Sequence, residues 1–492
     1  MDMWHISLSV CAMLVTLPVL LILRGSRAGC RIPPGPPSVP VLGSLVWLTN
    51  SPADPEPLLQ RLFRRYGSVV SLRLGSSLSI YIADRRLAHA ALVVHGAYLA
   101  DRPSVLVAAA TLLGENNHTI TRASYGPVCR LLRRNLVAET LHPSRVRLFA
   151  PARCWARRVL TEKLLAGGEA VIETFRHAMF CLLLLLYFSH QMAVFAFLPS
   201  VTKHVFRGRL RAAHALRRRQ MELFMPLINA RREYMKLNNS DRAKKKSDTT
   251  FEHSYVDTLL DLKLPEEERP LSDQEMINLC SEFLNAGTDT TSTAMQWIMA
   301  ELVKNPAIQD KLYGEIIKVA AITGDNSQEE VPEEDLHKIP YLKAVVLEGL
   351  RKHPPGHFVL PHKAAEDIEL CGAYLIPKGA TVNFMVAEMG RDAEEWENPM
   401  EFAPERFVAG GDREGVDVTG NREIRMMPFG AGRRICAGLG VAMLHLEYFV
   451  ANMVREFEWK EVAGDEVDFA EKREFTCVMQ KPLRPRLVPR IK

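Results

Sequence analysis

The chain has 492 residues, of which 47% are hydrophobic and 24% charged, a composition typical of a globular protein with a large core. A net charge of +5 does not call for a nucleic-acid partner, and we expect none. The nine cysteines are scattered without a CxxC pair, which excludes the disulfide framework of a small secreted domain and fits a reducing compartment.

The N-terminus is strongly apolar. Residues 3–23 contain no Lys, Arg, Asp or Glu, and the run is about as long as the roughly 20 residues with which a helix crosses a bilayer. Arg24, Arg27 and Arg31 follow it, and this excess of positive charge favours a cytosolic downstream side. A cleaved signal peptide is the alternative, but no basic n-region precedes the run. We predict a single-pass transmembrane anchor over residues 1–24.

A proline-rich stretch follows the apolar run. Residues 33–37 read Pro-Pro-Gly-Pro-Pro, and they cannot continue a helix because proline lacks an N–H and fixes φ. The pattern predicts a short, stiff connector, which we assign as a basic and Pro-rich hinge over residues 25–40. No later stretch indicates an interdomain linker, so residues 41–492 are predicted to form one large domain.

The body mixes long helices with a few short strands. Residues 69–83 alternate apolar and polar side chains, which predicts a β-hairpin. Ser272 and Glu275 form a capping box at the head of a long helix that reaches about Asn305, and residues 341–352 predict another helix. Short strand-like segments follow at 368–370, 374–376 and 381–384. The predicted fold class is therefore mainly α, an α+β fold with a small sheet.

Two segments depart from what secondary structure alone favours. Residues 286–291, Ala-Gly-Thr-Asp-Thr-Thr, weaken the interior of the long helix, so a role other than helix stability is expected for them. Residues 429–438, Phe-Gly-Ala-Gly-Arg-Arg-Ile-Cys-Ala-Gly, precede a helical segment at 439–449. Glycines let a loop approach a flat ligand, and a helix N-terminus offers N–H groups to a thiolate. An inert buried thiol is the alternative for Cys436.

In these segments the chain resembles the cytochrome P450 superfamily, most closely its plant microsomal members. The pattern FxxGxRxCxG is matched by Phe429, Gly432, Arg434, Cys436 and Gly438. Residues 286–290 resemble the oxygen-activation segment, residues 348–351 the ExxR element, and residues 404–407 the segment that supplies its third partner. The resemblance covers residues 33–492. It implies the cytochrome P450 fold, a large helical domain with a small β-rich subdomain, with haem between distal and proximal helices.

The resemblance also implies a cofactor and its contacts. Cys436 is expected to be the thiolate axial ligand of heme b (iron protoporphyrin IX). Phe429 would cover the sulfur side of the haem, and Gly432 and Gly438 would make room for it. Cofactor contacts, chiefly to the haem propionates, are expected from Arg434, His362, Arg133 and Arg130. For His362, a surface position after a turn is the alternative.

Two further groups of residues receive roles from the resemblance. Asp289 and Thr290 are expected to handle the protons that oxygen activation consumes, because a hydroxyl can both donate and accept. The alternative is that the hydroxyls only bond back to helix carbonyls. Glu348, Arg351 and Arg406 resemble a buried structural charge triad.

The function implied is an NADPH-dependent monooxygenase that inserts one atom of O2 into a small lipophilic substrate. Its electrons would come from NADPH–cytochrome P450 reductase, which could dock on a basic face formed by Arg130, Arg133, Arg134 and Arg147. The anchor would hold it in membrane lipid of the endoplasmic reticulum, with the catalytic domain facing the cytosol. One alternative is a reductase-independent enzyme that rearranges peroxides. Mostly apolar pocket segments are expected at 105–113, 285–286, 356–359 and 477–479.

Two departures from the family pattern favour a further alternative, a non-catalytic or impaired haem-binding protein. Cys129 stands where the family usually has a tryptophan whose indole N–H helps to hold a propionate. Its loss would weaken haem retention by one hydrogen bond, about 1 kcal/mol. The second departure is the stretch after Phe188, which is shorter than the helix and loop that usually form part of the pocket roof.

Overall fold

The computed structural model describes residues 32–37, 55–74, 77–103, 118–167, 170–183, 207–241, 254–265, 268–322 and 330–490. The predicted anchor over 1–24, most of the hinge over 25–40, the pocket segment at 105–113 and the short stretch after Phe188 lie outside these ranges. Within the described ranges, no helix combines the length and the apolar character that a membrane crossing requires. The chain divides into two compact units, residues 1–103 with 358–385, and residues 104–357 with 386–492.

The first unit is built around a small sheet. Its elements are helix α1 (Glu56–Tyr66), strands β1 (Val69–Leu74) and β2 (Ser77–Ile82), helix α2 (Arg85–His89), and strands β3 (His362–Lys363), β4 (Ile368–Leu370), β5 (Tyr374–Ile376) and β6 (Thr381–Phe384). β1 and β2 form the predicted hairpin, and Val70, Leu72 and Ile80 are fully buried. β2 pairs parallel with β6, which pairs antiparallel with β3, so the strand order is β1-β2-β6-β3.

The described part of the proline-rich stretch packs on β1. The backbone N–H of Ser71 donates to the Pro34 carbonyl at 2.8 Å, and the Ser71 hydroxyl donates to the Pro33 carbonyl at 2.7 Å. A Cβ added at Gly35 would lie 2.0 Å from the Ser71 carbonyl oxygen, so only glycine allows this approach. Residues 33–35 therefore belong to the first unit as a bound segment.

The second unit is mainly helical. Its helices are α3 (Pro127–Asn135), α4 (Pro143–Arg147), α5 (Ala150–Ala166), α6 (Val171–Leu183), α7 (Arg207–Asp241), α8 (Tyr255–Leu260), α9 (Asp273–Lys304), α10 (Pro306–Ile322), α11 (Pro340–Lys352), α12 (Val386–Gly390) and α13 (Leu439–Glu456). Its strands are β7 (Phe457–Lys460), β8 (Glu471–Arg473), β9 (Cys477–Met479) and β10 (Arg486–Pro489), which pair as β7–β10 and β8–β9.

Helix α9 is the central element of this unit. It begins at the predicted capping box, where the Glu275 carboxylate accepts the Ser272 N–H at 2.7 Å and the Glu275 N–H donates to the Ser272 hydroxyl. It packs on α6, α11 and α13 through a shared apolar core. A Cβ at Gly349 of α11 would lie 2.4 Å from the Ile298 side chain of α9, so the glycine permits the close approach of these two helices.

His445 in α13 gives the folded state a defined pH dependence. It is buried, and burial together with the charge of Arg153 lowers its pKa to about 3. The unfolded chain, in which histidine has a pKa of about 6.5, then binds the proton that the folded chain does not. This part of the stability is fully present above about pH 6.5 and is lost as the pH falls toward 3.

We therefore expect His445→Gln to flatten the acid side of the stability profile. Between pH 7 and pH 5 the wild-type free energy of unfolding should fall by about 2 kcal/mol more than that of the variant. Urea unfolding of both proteins at the two pH values measures the difference. Parallel losses in the two proteins would contradict the assignment.

Candidate active site

The loop that carries Cys436 is closed by its own backbone. Gly430 and Gly432 adopt φ values of 69° and 68°, which disfavour residues with a Cβ. The Cys436 N–H donates to the Phe429 carbonyl at 2.8 Å, across a 3₁₀ turn at Gly432–Arg434. The sequence thus folds residues 429–436 into a tight turn that presents the sulfur immediately before α13.

Cys436 is an exposed residue of this loop. Burial raises the pKa of the Cys436 thiol, whereas the Gly438 N–H and the guanidinium of Arg133 lower it. Both of these groups favour a thiolate. A Cβ at Gly438 would lie 3.9 Å from the sulfur, an ordinary contact, so the protein chain itself does not require glycine there. This donor set fits a haem-thiolate ligand.

Two of the predicted cofactor-binding arginines hold this loop in place, Arg133 from α3 and Arg434 from within the loop. Arg133 donates to the Ile435 carbonyl at 2.5 Å; burial lowers the Arg133 pKa, and the Cys436 sulfur opposes that effect. Arg434 donates to the carbonyls of Ile120, at 2.8 Å, and Ala123, at 2.6 Å. These bonds tie the loop to the segment that leads into α3.

Cys129 and Arg130 flank this arrangement on α3. The Cys129 sulfur is buried and lies 3.2 Å from an Arg434 nitrogen, so a thiol occupies the neighbourhood in which the family pattern has an indole N–H. Arg130 is exposed, with its guanidinium 5.8 Å from the centre of the Tyr125 ring.

Two hydroxyls of the polar run of α9 bond back to the helix itself. The Thr290 hydroxyl donates to the Ala286 carbonyl at 2.6 Å, and the Ser292 hydroxyl donates to the Thr288 carbonyl at 2.8 Å. In the structure the Thr290 hydroxyl therefore makes the bond back to the helix that was the alternative to a role in proton transfer. Thr290 is nevertheless only half-buried, whereas Ser292 is fully buried.

Asp289 has a partner that sequence reasoning missed. Arg176 of α6 donates from Nε to the Asp289 carboxylate at 3.1 Å, and its Nη2 lies 3.7 Å from Glu474. Burial raises the pKa of Asp289, and Arg176 opposes this shift. Arg176 is 113 residues distant in sequence from Asp289, and no local pattern marked it.

The structure brings Glu348, Arg351 and Arg406 together. Glu348 and Arg351 are fully buried and share two hydrogen bonds of 2.7 Å. Arg406 approaches the same carboxylate at 3.6 Å, and the Ala403 N–H donates to it at 3.0 Å. The carboxylate thus joins α11 to the 3₁₀ segment at Pro404–Phe407.

His362 lies in the first unit and is buried, so the alternative of a surface histidine is wrong. Its Nδ1 lies 2.5 Å from the Leu99 carbonyl oxygen, and the edge of its ring meets Phe384. Its contact with a haem propionate stays a prediction.

Comparison with known proteins gives one consistent family. The model of the family "Cytochrome P450" matches residues 33–167 and 169–487. "Cytochrome P450 89A9" of Arabidopsis thaliana is 44% identical, with 94% of each chain covered, and "Salviol synthase" of Salvia pomifera is 30% identical, with 95% of this chain and 93% of the relative covered. A retinoic acid-bound cyanobacterial cytochrome P450 superposes with a TM-score of 0.71 at 21% identity, covering 94% of this chain and 100% of that one.

Proposed function

Because the chain belongs to the cytochrome P450 family of haem-thiolate monooxygenases, we propose that Cys436 is its thiolate ligand. We further propose that it inserts one atom of O2 into a small lipophilic substrate, with electrons that NADPH–cytochrome P450 reductase delivers from NADPH. The observation that carries this proposal is the exposed Cys436 in the loop before α13, where the Gly438 N–H and the Arg133 charge both lower the pKa of its thiol.

When bound, haem with a thiolate ligand supplies the cleavage of the O–O bond, which electron density from the sulfur favours. The chain's own residues have simpler tasks. The Gly438 N–H and the Arg133 charge stabilise the thiolate. Phe429 would cover the sulfur side of the haem. Arg434 also contributes a positive charge beside the loop.

Further contacts to the haem carboxylates are assigned to Arg133, Arg130 and His362 together with Arg434. The positive φ of Gly432 allows the tight turn of the loop. Gly438 places no side chain beside the Cys436 sulfur. An Arg–carboxylate contact is charge-assisted and hence among the stronger hydrogen bonds. This set would fix the orientation of the haem relative to α13.

Asp289 and Thr290 would deliver protons on the opposite, substrate side. The Thr290 hydroxyl donates to Ala286 and retains acceptor capacity, so it can receive a proton or a hydrogen bond from water. Asp289 is poised by two opposing influences, burial and the Arg176 guanidinium. A carboxyl group can pass protons as a general acid or base.

The proposed substrate pocket is formed by the segments predicted from the sequence. Residues 285–286, 356–359 and 477–479 are proposed as pocket lining, which suits a lipophilic compound. The exposed basic residues of α3 and α4 suit an acidic reductase surface; they are Arg130, Arg134 and Arg147.

We propose an anchor over 1–24, a hinge over 25–40 and a catalytic domain over 41–492. The anchor would hold the protein in the endoplasmic reticulum membrane, with the catalytic domain facing the cytosol.

Reconstitution with the reductase tests this function. The full-length holoprotein is first screened with lipophilic compounds for a shift of its ferric Soret band. NADPH and reductase are then added with a compound that shifts it. We expect compound-dependent NADPH oxidation and a product that carries one atom from isotopically labelled O2.

Two control reactions separate the alternatives. An isomer of an organic hydroperoxide, formed from the hydroperoxide itself without NADPH, reductase or a second substrate, would favour the rearrangement chemistry instead. A holoprotein that forms no red-shifted Soret band under carbon monoxide and oxidises no NADPH would favour the non-catalytic alternative, for which the Cys129 contact with Arg434 is the structural reason.

A further inference from the structure

A cluster of metal-ligating side chains shares two residues, His357 and Cys477, with the segments proposed as pocket lining. We propose that His357, Glu471 and Cys477 bind a zinc ion. Each offers one ligand atom, a nitrogen, an oxygen and a sulfur, and the three atoms lie within 4.8 Å of one another. Three protein ligands with a remaining position for water is the arrangement of an open zinc site.

The fold brings these three residues together from separate segments of the second unit. His357 follows the end of α11, Glu471 begins β8 and Cys477 begins β9. In the antiparallel β8–β9 pair, Glu471 is opposite Met479 and Arg473 is opposite Cys477. Glu471 and Cys477 are therefore diagonal neighbours on one face of the ladder, and His357 approaches that face.

The backbone holds two of the ligands in place. The Cys477 N–H donates to the Pro355 carbonyl at 2.8 Å, and the Cys477 carbonyl accepts the Trp297 indole N–H at 2.8 Å. The His357 carbonyl accepts the Val386 N–H at 2.8 Å. These hydrogen bonds fix the backbone of both residues before an ion binds, which reduces the entropic cost of ordering the site.

Glu471 is oriented by a neighbouring cation. Arg391 donates to Oε1 of Glu471 at 2.5 Å, and Oε2 lies 3.6 Å from Nε2 of His357. One carboxylate oxygen is thereby held by Arg391, and the other is directed to the imidazole. Ligating carboxylates are commonly held in this way by an outer partner.

Ligand chemistry and charge favour zinc over a hard cation. A thiolate and an imidazole are poor ligands for Mg²⁺ or Ca²⁺ and good ones for Zn²⁺. Cys477 as thiolate and Glu471 contribute two negative charges, and Arg391 offsets one of them. His357 and Cys477 are buried and Glu471 is half-buried, so the ion would enter from the Glu471 side. The Arg391 charge predicts binding weaker than that of structural zinc sites.

Zinc binding by the full-length holoprotein tests this inference directly. The probe is Zn²⁺ alone, titrated into protein free of affinity tags, with bound zinc measured per haem after equilibrium dialysis. We expect one equivalent in the wild type and at least a tenfold rise in Kd for Cys477→Ser. Cys371→Ser is the matched control, because that cysteine is exposed in the turn after β4, and its Kd should equal the wild-type value.

Glu471→Gln is the second variant, and it removes the ligand charge while keeping the side-chain length. It should also raise the Kd at least tenfold, and it provides the test if Cys477→Ser fails to fold. Haem content of each variant verifies the fold independently of zinc. Failure of the wild type to retain zinc, or equal Kd values in the wild type and a haem-loaded Cys477→Ser or Glu471→Gln, would overturn the site.

Discussion

Alanine at position 348 should give a protein that contains no bound haem. Glu348 accepts two of the hydrogen bonds that the buried Arg351 guanidinium donates, and it also faces Arg406. Its removal leaves a fully buried cation without its carboxylate, a change that typically costs about 3–5 kcal/mol. Because that carboxylate also anchors the Ala403 N–H, the segment at Pro404–Phe407 would lose its attachment to α11.

The measurement is the Soret absorbance per mole of protein after expression with added haem precursor. Glu394→Ala is a suitable control, since Glu394 is an exposed glutamate in the same unit and should leave the haem content at the wild-type level. Soluble Glu348→Ala protein with a normal Soret band would refute the structural role of the triad.

Thr290→Ala is expected to uncouple turnover. The half-buried Thr290 hydroxyl is bonded to the Ala286 carbonyl and is the group proposed to pass protons beside Asp289. Loss of a proton-transfer group typically costs about 10²–10⁴ in rate. NADPH oxidation with the reductase should therefore continue while product per NADPH falls at least tenfold and hydrogen peroxide accumulates.

The matched control removes the same kind of hydroxyl bond elsewhere on α9. Ser292 donates to the Thr288 carbonyl in the same i to i−4 pattern but is fully buried. Ser292→Ala should keep the wild-type ratio of product to NADPH. Equal coupling in Thr290→Ala and the wild type would show that the Thr290 hydroxyl serves the helix alone.

Local patterns were sufficient for much of the fold. The β1–β2 hairpin, the three short strands at 368–370, 374–376 and 381–384, and the capping box of α9 are confirmed, because each depends on residues adjacent in sequence. Helix α13 is the exception, since it extends to Glu456 instead of ending at 449. No glycine or proline interrupts residues 450–456, and most of these side chains are buried.

The motif residues could be named from sequence, but their partners could not. The Arg176 contact with Asp289 and the Arg434 contacts with Ile120 and Ala123 join segments more than a hundred residues apart, which only the folded chain brings together. The same is true of His357 and Glu471, which the fold brings together from separate segments.

The identity of the iron ligand is tested most directly by the absorption spectrum of the reduced protein under carbon monoxide. We predict a strongly red-shifted Soret band in the wild type and its complete loss in Cys436→Ala. Cys280→Ala should keep the band, because the Cys280 side chain is buried in an apolar cluster, where burial raises the pKa of its thiol. A red-shifted band that persists in Cys436→Ala would contradict the assignment of Cys436 as the ligand.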